Sequence, residues 1–203
     1  MALSAYHQKY ASKPDEEIAR RAKAKEEELR RIFDTAPLRS SVTPIRVAIM
    51  GCGEKRFIQH HRDIFQTLLA RPVEITTFDL VTEHLAGETR VFQHDVTQPL
   101  PDAPYDVTYA HVLLKFIPTD KQLDVLLNSY TALREGGVAI HVFDTEELSA
   151  TSTTLPDELY AVPLERWKKE LDERGIKHAE VAWEIEGVLP MPLEGSALML
   201  LKE

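Results

Sequence analysis

The chain has 203 residues, 43% hydrophobic and 28% charged, a mixture that supports one sizeable core and excludes the disordered and fibrous classes. No apolar run approaches the ~20 residues of a bilayer span and no apolar leader opens the chain, so a cytoplasmic protein without a membrane partner is expected. The single cysteine, Cys52, excludes an intrachain disulfide and a cysteine-rich zinc site; the net charge of −9 divides into +2 on residues 1–45 and −11 on the body, which disfavours a nucleic-acid partner because phosphate backbones are held by Lys and Arg.

Residues 14–33, rich in Glu, Lys, Arg and Ala, predict an exposed, weakly amphipathic helix through Ile18, Ala22, Leu29 and Ile32. It is expected to pack on the body with one face solvated; a partner surface, including a homo-oligomer contact, is the alternative. Pro37, Ser40, Ser41 and Pro44 break the pattern, so residues 1–44 read as a helical arm with its linker and 45–203 as the domain proper.

From Ile45 onward strands alternate with helices, the pattern of a parallel sheet covered on both faces. IRVAIM is a buried strand that runs into Gly51-Cys52-Gly53 and then a helix through Phe57, His61, Ile64, Phe65 and Leu68, stopped by Pro72. Strands are expected at residues 73–80, 89–96 and 105–112. Thr119 and Gln122 read as a capping box for a helix that stops at Gly136-Gly137, and VAIHVF follows as the fifth strand. Pro163 opens a helix through Leu164, Trp167 and Leu171, stopped by Gly175, and HAEVAWEIEGV and SALMLLKE alternate as a closing hairpin.

A strand, a Gly-x-Gly turn and a helix place a helix N-terminus beside the carboxyl ends of the strands, where such sheets bind ligands. Asp79 closes the second strand 28 residues beyond Gly51, and a carboxylate there can accept two ribose hydroxyls; capping of the following turn is the bland alternative. Asp95 closes the third strand, ahead of a proline-rich loop and the strand from Tyr105. With TALREGGVAIHVFD and the closing hairpin, this block resembles the class I S-adenosylmethionine-dependent methyltransferases over about residues 45–203. The resemblance implies an α/β, Rossmann-like methyltransferase sandwich: a mostly parallel seven-stranded sheet with a C-terminal antiparallel hairpin, plus the N-terminal helical arm. It implies S-adenosylmethionine as cofactor, with Gly51, Cys52 and Gly53 at the methionine end, Asp79 and Leu80 at the ribose, Asp95 and Val96 at the adenine, and His111 facing the cofactor from the fourth strand. The sulfonium methyl is already activated, so positioning carries much of the catalysis and no catalytic residue is assigned.

The turn departs from the family pattern in two places: Lys55 stands where a third glycine is usual, and Ile49 where an acid is usual, with Glu54 as a substitute acid. The stretch after Asp79 is too short for a full helix. No metal is expected, since His60 and His61 point about 100° apart on a helix. His94 and His111 are candidate proton acceptors or ordinary strand-end residues, Cys52 sits where a thiolate is favoured, and Tyr6 and Tyr10 suit a lid. The expected activity is methyl transfer to a small molecule, with specificity in the arm and in residues 146–161. The alternatives are an inactive binding or assembly protein on the same fold and an RNA or protein methyltransferase.

Overall fold

The computed structural model describes residues 11–144, 154–155, 159–190 and 192–203. Helix α1 (Asp15–Thr35) begins with Asp15, Glu16 and Glu17, acids suited to the positive end of the helix dipole. Glu17–Arg21, Glu26–Arg30 and Glu27–Arg31 pairs lace its outer side. Its inner side is more deeply buried than the weak amphipathicity suggested, with Leu29 and Ile32 at 0% exposure.

Strand β1 (Ile45–Met50) leads through the glycine turn to α2 (Arg56–Leu69), and β2 (Val73–Asp79) follows. Helix α2 ends on Ala70, which takes the left-handed conformation (φ 50°) ahead of Pro72. Next come β3 (Val91–Gln93), β4 (Tyr105–His111), α3 (Thr119–Thr131) and β5 (Leu133–Asp144). Beyond them lie a short β6–β7 hairpin (Thr154–Leu155, Leu159–Tyr160), α4 (Leu164–Glu173), β8 (His178–Ile185) and β9 (Leu193–Leu201).

Among the described residues seven strands form one sheet in the order β3-β2-β1-β4-β5-β9-β8. All neighbours pair in parallel except β5–β9 and β8–β9. The side-chain alternation of β1 divides the core: Val47 and Ile49 face α1 and α2, whereas Ala48 and Met50 face α3 and α4. Ile18, Leu29 and Ile32 of α1 belong to the same apolar cluster as Ile49, Val107 and Trp183.

The linker is tied down by polar contacts. Arg39 and Ser40 both donate from their backbone to Gly136 O (3.0 and 3.1 Å), and the fully buried Asp106 accepts from Ser40 Oγ and from Arg46 N (2.8 Å). Gly136 adopts φ 75°, and an added Cβ would meet Ser40 N at 2.9 Å, so the chain passes here only because the residue is glycine.

Three expectations change. The third strand spans only Val91–Gln93, so Asp95 lies in the loop beyond its end. Thr119 and Gln122 make no capping box. Thr119 Oγ1 donates to Ala161 O (3.2 Å), and Gln122 is wholly buried, donating to Leu114, Ile117 and Ala161 carbonyls (3.1 Å each) and accepting from Trp167 Nε1. A buried amide with four partners is better satisfied there than at a helix end. Finally, α3 ends at Thr131 and not at Gly136-Gly137, which lie within β5; residues 80–90, as their length implied, form only the short turn Glu83–Leu85.

Candidate functional site

The sheet order reverses between β1 and β4, because the chain winds outward through β2 and β3 and then returns to the other side of β1. A crevice opens at such a switch point beyond the carboxyl ends of the strands. Gly51 turns there with φ 75°, and its N–H donates to Phe78 O (2.8 Å). A Cβ on Gly51 would lie 2.9 Å from Leu113 Cδ1, so the turn needs both the conformation and the slimness of glycine.

Asp79 locks the turn. Its Oδ2 accepts from Cys52 N (2.9 Å) and its Oδ1 from Val81 N (3.2 Å), while His84 Nε2 lies 2.6 Å from Cys52 O. Each carboxylate oxygen has two lone-pair sites, so Asp79 keeps capacity toward the crevice after these bonds. The capping role is therefore real, and it is compatible with ligand binding.

Asp95 accepts at Oδ1 from both Thr97 N (2.9 Å) and Thr97 Oγ1 (2.8 Å), an arrangement that fixes an exposed carboxylate at the rim. Between the two acids lies a cavity of about 260 Å³, near the lower end of the range for small-molecule pockets, about 300 Å³. Gly51, Cys52, Gly53, Asp79, Leu80, Asp95, Val96 and His111 all line it. So do His94, expected at a strand end there, and Val112, Leu113, Phe116 and Ile117, which the sequence pattern did not single out.

Several of the lining residues carry physical marks. Val112 is β-branched yet holds φ 55°, a conformation costing on the order of 1–3 kcal/mol and met most often where a site imposes it. His94 Nε2 is buried without a hydrogen-bond partner among the described residues. Leu80 and Phe116 leave large apolar faces open at 57% and 37% exposure. The strain at Val112 and the exposure of Phe116 arise from the tertiary turn after β4, which has no local sequence pattern.

The loop residues of the turn sort differently. Lys55 takes the helical φ of −59° that any side chain tolerates, so losing a third glycine costs nothing in backbone strain. Glu54 does not reach the cavity and does not act as the substitute acid. Burial opposes its ionisation, but hydrogen bonds from Arg56 prevail and hold its carboxyl below the ordinary range. Arg56 also reaches Asp15 Oδ1 (2.6 Å) and Lys13 O, joining turn to α1. Cys52 is no thiolate: burial pushes its thiol up to about 12, and Sγ donates to Glu54 O (3.3 Å).

His111 lies at the end of β4 with Nε2 3.0 Å from Glu28 Oε2 of α1. Burial first, and then the Lys25 ammonium, lower its pKa despite Glu28, so the imidazole is neutral and donates to the carboxylate. His61 is buried and His60 is on the next helical position, so the two do not converge; among the described residues no three His, Cys, Asp or Glu side chains gather as for a metal. Tyr6, Tyr10 and most of residues 146–161 lie outside the described residues.

Sheet order, switch-point cavity and closing hairpin together define the class I S-adenosylmethionine-dependent methyltransferase fold. The chain is similar to a TehB-like methyltransferase from Corynebacterium glutamicum, at TM-score 0.59 and 14% identity over 98% of this chain and 99% of that one. It is also similar to magnesium protoporphyrin IX methyltransferase from Synechocystis, solved with bound S-adenosylmethionine (TM-score 0.55, 13% identity, 100% and 86% covered). A third likeness, to a pericyclic reaction enzyme, has TM-score 0.57 at 11% identity and spans 84% of this chain but 48% of that one. No protein-family model matches the chain, and no curated protein matches its sequence. No described helix is long and apolar enough to cross a membrane.

Proposed function

We propose that the protein binds S-adenosylmethionine in the switch-point cavity and transfers its methyl group to a small-molecule acceptor. The observation that carries this reading is the pair of carboxylates, Asp79 and Asp95, facing one cavity whose remaining wall is largely apolar. A nucleoside needs that combination: acceptors for ribose hydroxyls at Asp79, an acceptor for an exocyclic amine at Asp95, and flat apolar cover from Leu80, Val96 and Phe116. The residues present therefore fit the cofactor of the similar solved structures.

When bound, the cofactor supplies a methyl group already activated by its sulfonium charge. The chain's part is to hold the nucleoside through Asp79 and Asp95, to keep Gly51–Gly53 close to it, and to exclude water with the apolar wall. A neutral His111 at the rim is a proton acceptor for an acceptor hydroxyl or ammonium that must lose its proton. Acceptor choice falls to the arm and to residues 146–161, since loops rather than sheets vary among substrates. In this reading residues 45–203 form the cofactor domain and residues 1–44 its helical arm.

Titration calorimetry of the full chain with S-adenosylhomocysteine tests the proposal. Saturable binding is expected, and Asp79→Ala is expected to weaken it by about tenfold or more, the worth of roughly one charge-assisted hydrogen bond. Absence of both heat and thermal shift at millimolar ligand would sink the reading.

A further inference from the structure

A second cavity, of about 90 Å³, lies across the glycine turn beneath α1 and shares Gly51, Cys52, Gly53 and His111 with the larger one. Its floor is polar and unsatisfied. His61 is 3% exposed and Tyr109 0%, yet both ring nitrogens of His61 and the Tyr109 hydroxyl lack hydrogen-bond partners among the described residues. Leaving such groups unpaired costs on the order of 1–3 kcal/mol each, so a ligand that paired them would recover that energy.

The roof supplies charge of both signs. Lys25 and Glu28 project from α1 into the cavity wall. They stand three residues apart on one helix, a spacing at which ion pairs form readily, but they do not pair. Lys25 Nζ instead lies 5.4 Å from the centre of the Phe57 ring and has no ion-pair partner among the described residues. Glu28, 2% exposed, has the neutral His111 as its hydrogen-bond partner among the described residues. Among the described residues it is the one acid lining this cavity, and Arg21, the other cation there, is paired with Glu17.

A simple anion would meet Glu28, and a simple cation would meet Lys25. A small group with an ammonium and a carboxylate on adjacent atoms matches both, and the neutral Tyr109 and His61 side chains complete its hydrogen bonding. The two cavities meet at the glycine turn, so one molecule can fill both, with a nucleoside in the larger and an amino-acid head in the smaller. We propose that Glu28 and Lys25 of α1 hold the amino-acid head of the cofactor, Glu28 receiving the ammonium and Lys25 the carboxylate. This assignment rests on the methyl-transfer reading and makes α1 part of the cofactor site.

The test compares two ligands on the full chain by calorimetry. S-adenosylhomocysteine carries the amino-acid chain, and 5′-methylthioadenosine has a methyl in its place. The wild type is expected to prefer the former by about tenfold or more. Glu28→Gln and Lys25→Met should each remove most of that preference and leave the affinity for 5′-methylthioadenosine unchanged. Equal affinity of the wild type for both ligands would overturn the assignment while leaving the nucleoside cavity intact. So would variants that keep the preference or that weaken both ligands alike. If neither ligand binds the wild type, the methyl-transfer reading and this assignment both fall. Thermal melting of each variant checks folding; if Glu28→Gln is unfolded, the half-buried Lys25→Met decides by the same readout.

Discussion

The two cavities share a wall and are made from different materials. The larger is a product of the sheet: Asp79 is fixed by two backbone N–H groups, Asp95 by Thr97, and the strand register sets the distance between them. The smaller is a product of helix docking, because Lys25 and Glu28 reach it only while Ile18, Leu29 and Ile32 hold α1 against the core. A sheet-built site is as rigid as the fold, whereas a helix-built one stands or falls with a single packed face. Charge follows the same division, with two carboxylates in the larger cavity and opposite signs in the smaller. Arg56 links the two systems through Glu54 on one side and Asp15 on the other.

Replacing the shared wall should damage both cavities together and gives the largest effect. Gly51→Ala forces a Cβ into φ 75° and to within 2.9 Å of Leu113 Cδ1. The strain is worth on the order of 1–3 kcal/mol, visible as a lower urea midpoint. Affinity should fall by about a hundredfold for S-adenosylhomocysteine and for 5′-methylthioadenosine alike, since the turn must shift and lose the bond from Cys52 N to Asp79. Loss of one ligand alone would show that the turn serves only one cavity.

The same division explains what could be read in the sequence. The β1–α2–β2 unit was legible because a buried β-branched run, a glycine turn and a helical apolar period are local signals. All eight residues expected at the cofactor line one cavity, since strand ends and the turn are adjacent in any such sheet. The neutral thiol of Cys52 was not legible, because a nearby helix N-terminus is a sequence feature and burial is not. Nor was the duty of Glu54, whose partner Arg56 also answers to α1. Lys25 did leave a trace: positions 18, 22, 25, 29 and 32 form one helical stripe, apolar except at Lys25. An amine on an apolar stripe marks a place where the helix meets something other than core.

Acid should probe the small cavity before the large one. His61 lies on its floor, and burial, followed by the nearby Lys25 charge, holds its pKa well below the ordinary 6.5. His111 at the rim is also lowered, and His141, buried on the other face of the sheet, is pulled down to about 3. Above pH 6.5 these rings are neutral folded and unfolded, so no penalty arises. Below it the unfolded chain takes up protons that the folded chain refuses. Stability therefore falls as pH drops through 6 and 5, by roughly 1 kcal/mol per pH unit for each of the two deeply lowered rings, His61 and His141. His61→Leu removes one of them and should flatten the loss between pH 7 and pH 5 by about that amount in urea titrations. An unchanged slope would mean that His61 accepts its proton in the folded protein.

The smallest effect is expected at the rim. Asp95→Asn keeps an oxygen that can accept from Thr97 and from an exocyclic amine, and the position is exposed, so water competes for every bond it makes. Affinity for 5′-methylthioadenosine should fall less than about tenfold, and the preference for S-adenosylhomocysteine over it should not change. Asp79→Asn, by contrast, puts an amide N–H against either Cys52 N–H or Val81 N–H, and both already donate there. It should therefore cost more than Asp95→Asn in the same calorimetric titration. The reverse order would relocate the main nucleoside anchor from the locked end of β2 to the rim, and the sheet-built cavity would then owe its selectivity to its most solvated residue.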